Sequence, residues 1–266
     1  MELLKLRPSS AHFYDAHGYP VHQVPNKSKG GMRTTTVRDA KKLDLYPSVT
    51  TIIANALPTP QGLINWKIDQ FGQYMLMTPR HDDESDEEFI RRVNEEYHSD
   101  MGEAADLGTE VHAIIAEILN GKEAEASERA WWVFESVKEL LVHLHGAAER
   151  TFTNRFLGYA GTIDFYGDMD GDLTIIDWKT QDTKGGKYRA YDEWLWQQAA
   201  YRELVPYEPT RQMNVIIPTD RQDAVYIKEW TPEELEYGKD VFFHALDTYR
   251  LLKKWPWNGL GGPDAA

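Results

Sequence analysis

Apolar residues recur in two rhythms along this 266-residue chain, and the rhythm changes near its middle. In the first half the spacing is helical. Residues 49–57 form an apolar stretch opened by Pro47-Ser48 and closed by Pro58 and Pro60, which predicts a short helix, and a second runs over roughly 62–77. Ser85 with Glu88 three residues later fits a capping box, so 86–97 reads as a solvated helix. Val111, Ile114, Ile115 and Ile118 then repeat at i, i+3, i+4 and i+7, one face of a further helix over about 104–120 with Gly121 as its stop. Residues 126–143, with Trp131, Trp132 and Leu140, predict another.

From Glu149 the period shortens to two. Residues 151–155, 159–166 and 173–180 read as strands, and Asp170-Gly171 between the last two is a hairpin turn signal. A helix over 194–204, strands over 213–218 and 225–230, and a helix opened by the capping box and proline of Thr231-Pro232-Glu233-Glu234 complete the chain. Ahead of all this, Gly18, Pro20, Gly30 and Gly31 punctuate β-prone pieces at 12–14 and 34–37, a loose hairpin region. The order predicts one α/β domain with a helical N-terminal elaboration: residues 1–103 the elaboration, 104–254 the core and 255–266 a tail.

Composition narrows the chemistry. With no cysteine, disulfides, thiolate zinc sites, cysteine nucleophiles and iron–sulfur clusters are all excluded. No apolar run approaches the ~18 residues of a membrane span, so the expectation is a cytoplasmic protein without a membrane partner. The net charge of −14 does not suit a simple electrostatic nucleic-acid binder. The charge is uneven, however: residues 1–44 carry eight basic groups against four acids, and 80–106 eleven acids against three arginines.

The most informative stretch is GYAGTIDFYGDMDGDLTIIDWKT, residues 158–180. Alternation along a strand puts Asp177 and Lys179 on one face. A hairpin closed at Asp170-Gly171 brings Asp164 beside Asp177, about one strand spacing of ~5 Å away. Alone, D-x-K on an apolar strand is an ordinary half-buried ion pair. Two carboxylates held together instead call for a positive partner, and a hard divalent cation such as Mg²⁺ or Mn²⁺ supplies it. His112 lies beside the apolar stripe of its helix, with Gly108 one turn earlier permitting close approach of another backbone. It is either a packed histidine or, if that helix covers the strand face, an imidazole ligand that shifts preference toward Mn²⁺.

Gln197 and Tyr201 share a helical face. Lys184, Lys187 and Arg189 surround Gly185-Gly186, a loop that suits a phosphate backbone or is simply polar. Ser48 either caps the helix after it or offers that helix terminus to a phosphate. Trp66, Lys253, Lys254, Trp255 and Trp257 suit core packing or a grip on single-stranded DNA. Asp168, Asp170 and Asp172 imitate a calcium loop, but Lys179 stands where its closing glutamate is needed.

Taken in order, GTEVH (His112), GTID (Asp164), IIDWKT (Asp177, Lys179) and Gln197 with Tyr201 resemble the RecB-like exonuclease branch of the PD-(D/E)XK nuclease superfamily. YPSVTTII at 46–53 is similar to the N-terminal part of phage and mitochondrial genome maintenance exonucleases. The resemblance implies a restriction-endonuclease-like α/β core with a mixed central sheet flanked by helices. It implies His112, Asp164 and Asp177 as ligands to Mg²⁺ or Mn²⁺, completed by the Trp178 carbonyl, with Lys179 and Gln197 catalytic. Tyr201, Thr180, Ser48, Lys184 and Lys187 would meet the substrate, linear DNA ends or single strands. The activity implied is exonucleolytic hydrolysis to 5′-phosphates in phage or bacterial recombination and repair, by a homo-oligomer or beside a phage recombination partner. A flap endonuclease and a silent DNA-binding relative are the alternatives. Ile163 precedes Asp164 in place of the proline that names the superfamily.

Overall fold

The computed structural model describes residues 11–26, 30–59 and 61–256, so Lys27, Lys29, Pro60 and Trp257 lie outside the described residues. The N-terminal region builds two small two-stranded pairs. Strand β1 (Phe13–Tyr14) pairs with β4 (Tyr46–Pro47), and β2 (Gln23–Pro25) with β3 (Met32–Thr34). Between them stands a helix that apolar periodicity does not reveal, α1 (Val37–Lys42), because it is short and marked only by its Thr36–Asp39 capping box. Ser48 then caps α2 (Val49–Ala56) by accepting from the Thr51 N–H.

Helix α3 (Gln61–Met77) leads to α4 (Asp86–Leu119). The two helices expected over 86–97 and 104–120 are this single 34-residue helix. Gly102 does not stop it, because one interior glycine costs only about 1 kcal/mol against alanine. Val111, Ile114 and Ile115 are fully buried as the stripe requires, while Ile118 is 37% exposed near the helix end. In contrast, the helix expected over 126–143 divides into α5 (Glu128–Phe134) and α6 (Lys138–Leu141). Between them the backbone tightens into i→i+3 bonds at Ser136 and Val137.

A five-stranded mixed sheet follows, in the order β5-β6-β7-β8-β9. Strand β5 (Leu144–Asn154) starts seven residues before the first strand-like residues of the sequence, because HGAAER offers no apolar alternation. It pairs antiparallel with β6 (Tyr159–Met169), which turns through Asp170 (φ 55°) and Gly171 (φ 96°) into β7 (Asp172–Gln181). Two successive positive φ angles are what a two-residue hairpin loop matching the strand twist needs. Helix α7 (Asp192–Arg202) crosses over to β8 (Arg211–Pro218), which lies parallel to β7. Edge strand β9 (Tyr226–Glu229) and helix α8 (Pro232–Lys253) complete the described fold.

Helices cover both faces. Phe165, Ile176 and Trp178 pack with Val111, Ile114 and Phe134 of α4 and α5 on one side, while Ile163 and Ile175 pack with α2, α7 and α8 on the other. This is the mixed sheet flanked by helices expected of a restriction-endonuclease-like core. Trp255 is partly buried, with its ring on Phe13 and Tyr249. Trp66 on α3 is partly exposed. Among the described residues no helix is long and apolar enough to cross a membrane.

Candidate metal centre

The site forms where side-chain alternation in the sheet breaks. Ile163 and Phe165 are two apart and would share a face in a regular strand, yet they pack into opposite clusters. The ladder pairs Ala148 with Phe165 and Arg150 with Ile163, leaving Glu149 opposite Asp164 outside the pairing. Glu149 has φ 54°, a left-handed conformation that a non-glycine residue in a strand adopts only against a steric cost. On the other side, the β6–β7 ladder ends at the Phe165–Ile176 pair. The Trp178 N–H beyond that pair is taken by Asp164 Oδ2 at 2.8 Å. Asp164 therefore sits at a split in the sheet, bonded to β7.

Helix α4 supplies His112 from one layer. Gly108 allows it to approach: a β-carbon there would lie 2.8 Å from Thr180 Oγ1 of β7. One turn on, His112 Nδ1 stands 3.5 Å from Asp164 Oδ2. Ligand atoms of His112, Glu149 and Asp164 all lie within 4.8 Å of one another. The set grouped by the resemblance is thus brought together in part: His112 and Asp164 converge, the third member of the cluster is Glu149, and Asp177 is anchored next to them by other contacts.

Asp177 is 1% exposed, and both of its close side-chain contacts end on one oxygen. Lys179 Nζ lies 2.7 Å from Oδ2, and Asn214 Nδ2 donates to the same atom at 2.7 Å. Asn214 is itself oriented by the Trp230 indole N–H, which donates to its Oδ1 at 2.8 Å. Lys179 also donates to Gln197 Oε1 at 3.2 Å, and Gln197 Nε2 donates to the Tyr201 hydroxyl at 2.8 Å. Tyr201 is buried against Gly161 and acts as a support beneath Gln197.

Like charge crowds this centre. Burial, opposed by Lys179 and reinforced by Asp164, pushes the Asp177 carboxyl up to about 6. Glu149 is pushed up to about 7, first by desolvation of its carboxyl and then by Asp164 and Asp177, although the residue as a whole is exposed. A divalent cation would relieve this crowding of like charge, and a donor set of carboxylate oxygens with one imidazole suits Mg²⁺ or Mn²⁺.

The remaining sequence candidates lie around this centre. Thr180 contacts α4 as described, and the Trp178 side chain is in the core under it. Ser48 is buried as the cap of α2 and bridges Ala160 of β6. Lys184 and Lys187 are exposed on the Gly185-Gly186 loop. That loop is pinned by Asp220, which accepts from the Thr183 N–H and hydroxyl and the Gly185 N–H. Two residues escaped sequence reasoning. Glu149 gave no signal, since its role depends on a backbone distortion. Asn214, a lone amide in the apolar run MNVII, was a legible sign of a buried group needing partners.

No family model matches the chain, and no curated protein does. Among solved structures, it is similar to a "Putative exonuclease" from Eubacterium rectale, at 13% identity over 84% of this chain and 88% of that one, with a TM-score of 0.49. The functional reading rests on the site itself.

Proposed function

We propose that this chain is a divalent-metal-dependent deoxyribonuclease of exonuclease type, hydrolysing phosphodiester bonds to leave 5′-phosphates. The observation that supports it is the juxtaposition of the His112–Glu149–Asp164 cluster with the Asp177–Lys179 pair at 2.7 Å. In this reading those three residues, with Asp177 and the Trp178 carbonyl, would hold the cation. When bound, that cation polarises a phosphoryl oxygen and lowers the pKa of water. Lys179, gripped between Asp177 and Gln197, orients the attacking water and offsets charge gathering on the phosphate. Gln197, fixed by Tyr201, keeps the ammonium in place. The exonuclease assignment comes from the ordered motifs GTEVH, GTID and IIDWKT.

The test is a time course on end-labelled linear single- and double-stranded DNA with Mg²⁺, Mn²⁺ or EDTA. Wild type is expected to release nucleotides from ends, to spare circular single strands and to stop in EDTA. Asp177→Ala and Lys179→Met are each expected to slow cleavage by about 10²–10⁴-fold. Equal cleavage by wild type and Asp177→Ala refutes the site. Digestion of circles moves the assignment to an endonuclease, and no cleavage by wild type with any metal moves it to a silent relative.

A further inference from the structure

Two aromatic pairs flank the loop that follows the Lys179 strand. Lys179 Nζ lies 5.8 Å from the centre of the Trp194 ring, and Trp194 meets the Tyr191 ring edge-on at 4.9 Å. Three residues before Tyr191, Tyr188 stacks on Tyr226 of β9, with centroids 5.3 Å apart and planes 18° from parallel. Lys179, Ile216 and Tyr226 are register partners across β7, β8 and β9. Partners in a row project to one face, so Tyr226 stands two strands, about 10 Å, from Lys179 on the same side of the sheet.

One ring of each pair faces solvent, while Tyr188 and Trp194 are half-buried behind them. Tyr191 is 44% exposed and Tyr226 43% exposed. Tyr188 is fixed in place by its hydroxyl, which donates to the Ala224 carbonyl at 3.1 Å. The Arg221 guanidinium, packed against Gly186, lies 5.9 Å from the centre of the Tyr188 ring. Lys184, Lys187 and Arg189 of the same loop are exposed. Of the acids beside the loop, Asp220 is occupied by Thr183 and Gly185, and Asp182 accepts from the Lys184 backbone N–H. The acids Asp192 and Glu193, in the first turn of α7, mark where the cationic stretch ends.

We infer that Tyr188–Tyr226 and Tyr191–Trp194 form a base-stacking track that carries single-stranded nucleic acid between the edge of the sheet and Lys179. Unpaired bases expose the π faces such rings need, whereas bases in a duplex already stack on one another. The loop cations run alongside to meet the phosphates. The inference rests on the nuclease reading and adds to it the form of the nucleic acid at the site.

The experiment measures binding of fluorescein-labelled oligothymidylate by anisotropy in EDTA, where no turnover occurs. Tyr226→Leu keeps apolar bulk on an exposed edge strand and removes the π face, so it is expected to melt like wild type and to bind about tenfold more weakly. Tyr226→Trp is expected to retain wild-type affinity, and a blunt duplex to show no difference among the three proteins. Unchanged oligothymidylate binding by Tyr226→Leu overturns the track, as does equal weakening on the duplex or no binding by wild type. A failed track with cleavage still abolished by Asp177→Ala leaves the nuclease reading intact. Weakened Tyr226→Leu binding with no cleavage by wild type has the opposite meaning.

Discussion

Glu149 concentrates two costs on one residue. Its backbone takes a left-handed angle in the middle of a strand, worth about 1–3 kcal/mol of strain, and its carboxyl is crowded by Asp164 and Asp177. Glycine adopts that angle without strain and carries no charge. Glu149→Gly is therefore expected to melt at a higher temperature than wild type in metal-free buffer. It is also expected to need at least about tenfold more Mn²⁺ for half-maximal cleavage, since a ligand is gone. Calorimetry with a metal titration of activity checks both, and a lower melting temperature would show that no strain is stored there. At this scale the sequence was informative where residue type and spacing alone carry meaning: Asp164, Asp177 and Lys179 are legible as a strand pair around a hairpin. Glu149 was not, because the twist that turns it toward Asp164 is a property of two paired strands.

The placement of His112 depends on how closely α4 lies on β7. Gly108 sets that distance, with the Thr180 hydroxyl where a β-carbon would be. Gly108→Val is expected to push the helix outward and cost about 1–3 kcal/mol in urea denaturation, because overpacking forces the backbone to shift. Metal affinity should fall with it, since His112, one turn along from the contact, is carried away from Asp164 with the helix. Thr180→Ala in the Gly108→Val background should recover part of both losses. If metal affinity holds while stability drops, helix position does not govern the site. The stripe and the glycine were readable in the chain. The joining of two expected helices into α4 was not, since a lone glycine is too weak a breaker to override a long run of helix formers.

The whole molecule is acidic, and residues 80–106 hold much of that excess. Part of it is neutralised within the structure. Arg92 donates to both oxygens of Glu84, to Glu96 and to the Pro79 carbonyl, tying the α3–α4 connection to α4. The Arg92 hydrogen bonds hold the Glu84 carboxyl down at about 2, against an ordinary 4.5. A depressed carboxyl contributes stability that is full above the ordinary value and lost as pH falls toward the depressed one. Glu84→Gln is therefore expected to melt below wild type at pH 7, with the gap closing between about pH 4.5 and 2. A gap that persists unchanged in acid would mean that Arg92 contributes packing and not charge.

The order of elements from β6 to α8, the hairpin at Asp170-Gly171, the capping of α2 and α8 and the D-x-K strand were determined by the sequence alone. Each is local, resting on periodicity, turn chemistry or a cap within a few residues. Only the tertiary structure decided that Glu149 faces Asp164, that Asn214 holds Asp177 and that Tyr226 stands in the row of Lys179. Those relations join residues from strands and helices far apart in the chain. They exist only after register, twist and helix docking have been settled together, which no window of sequence contains.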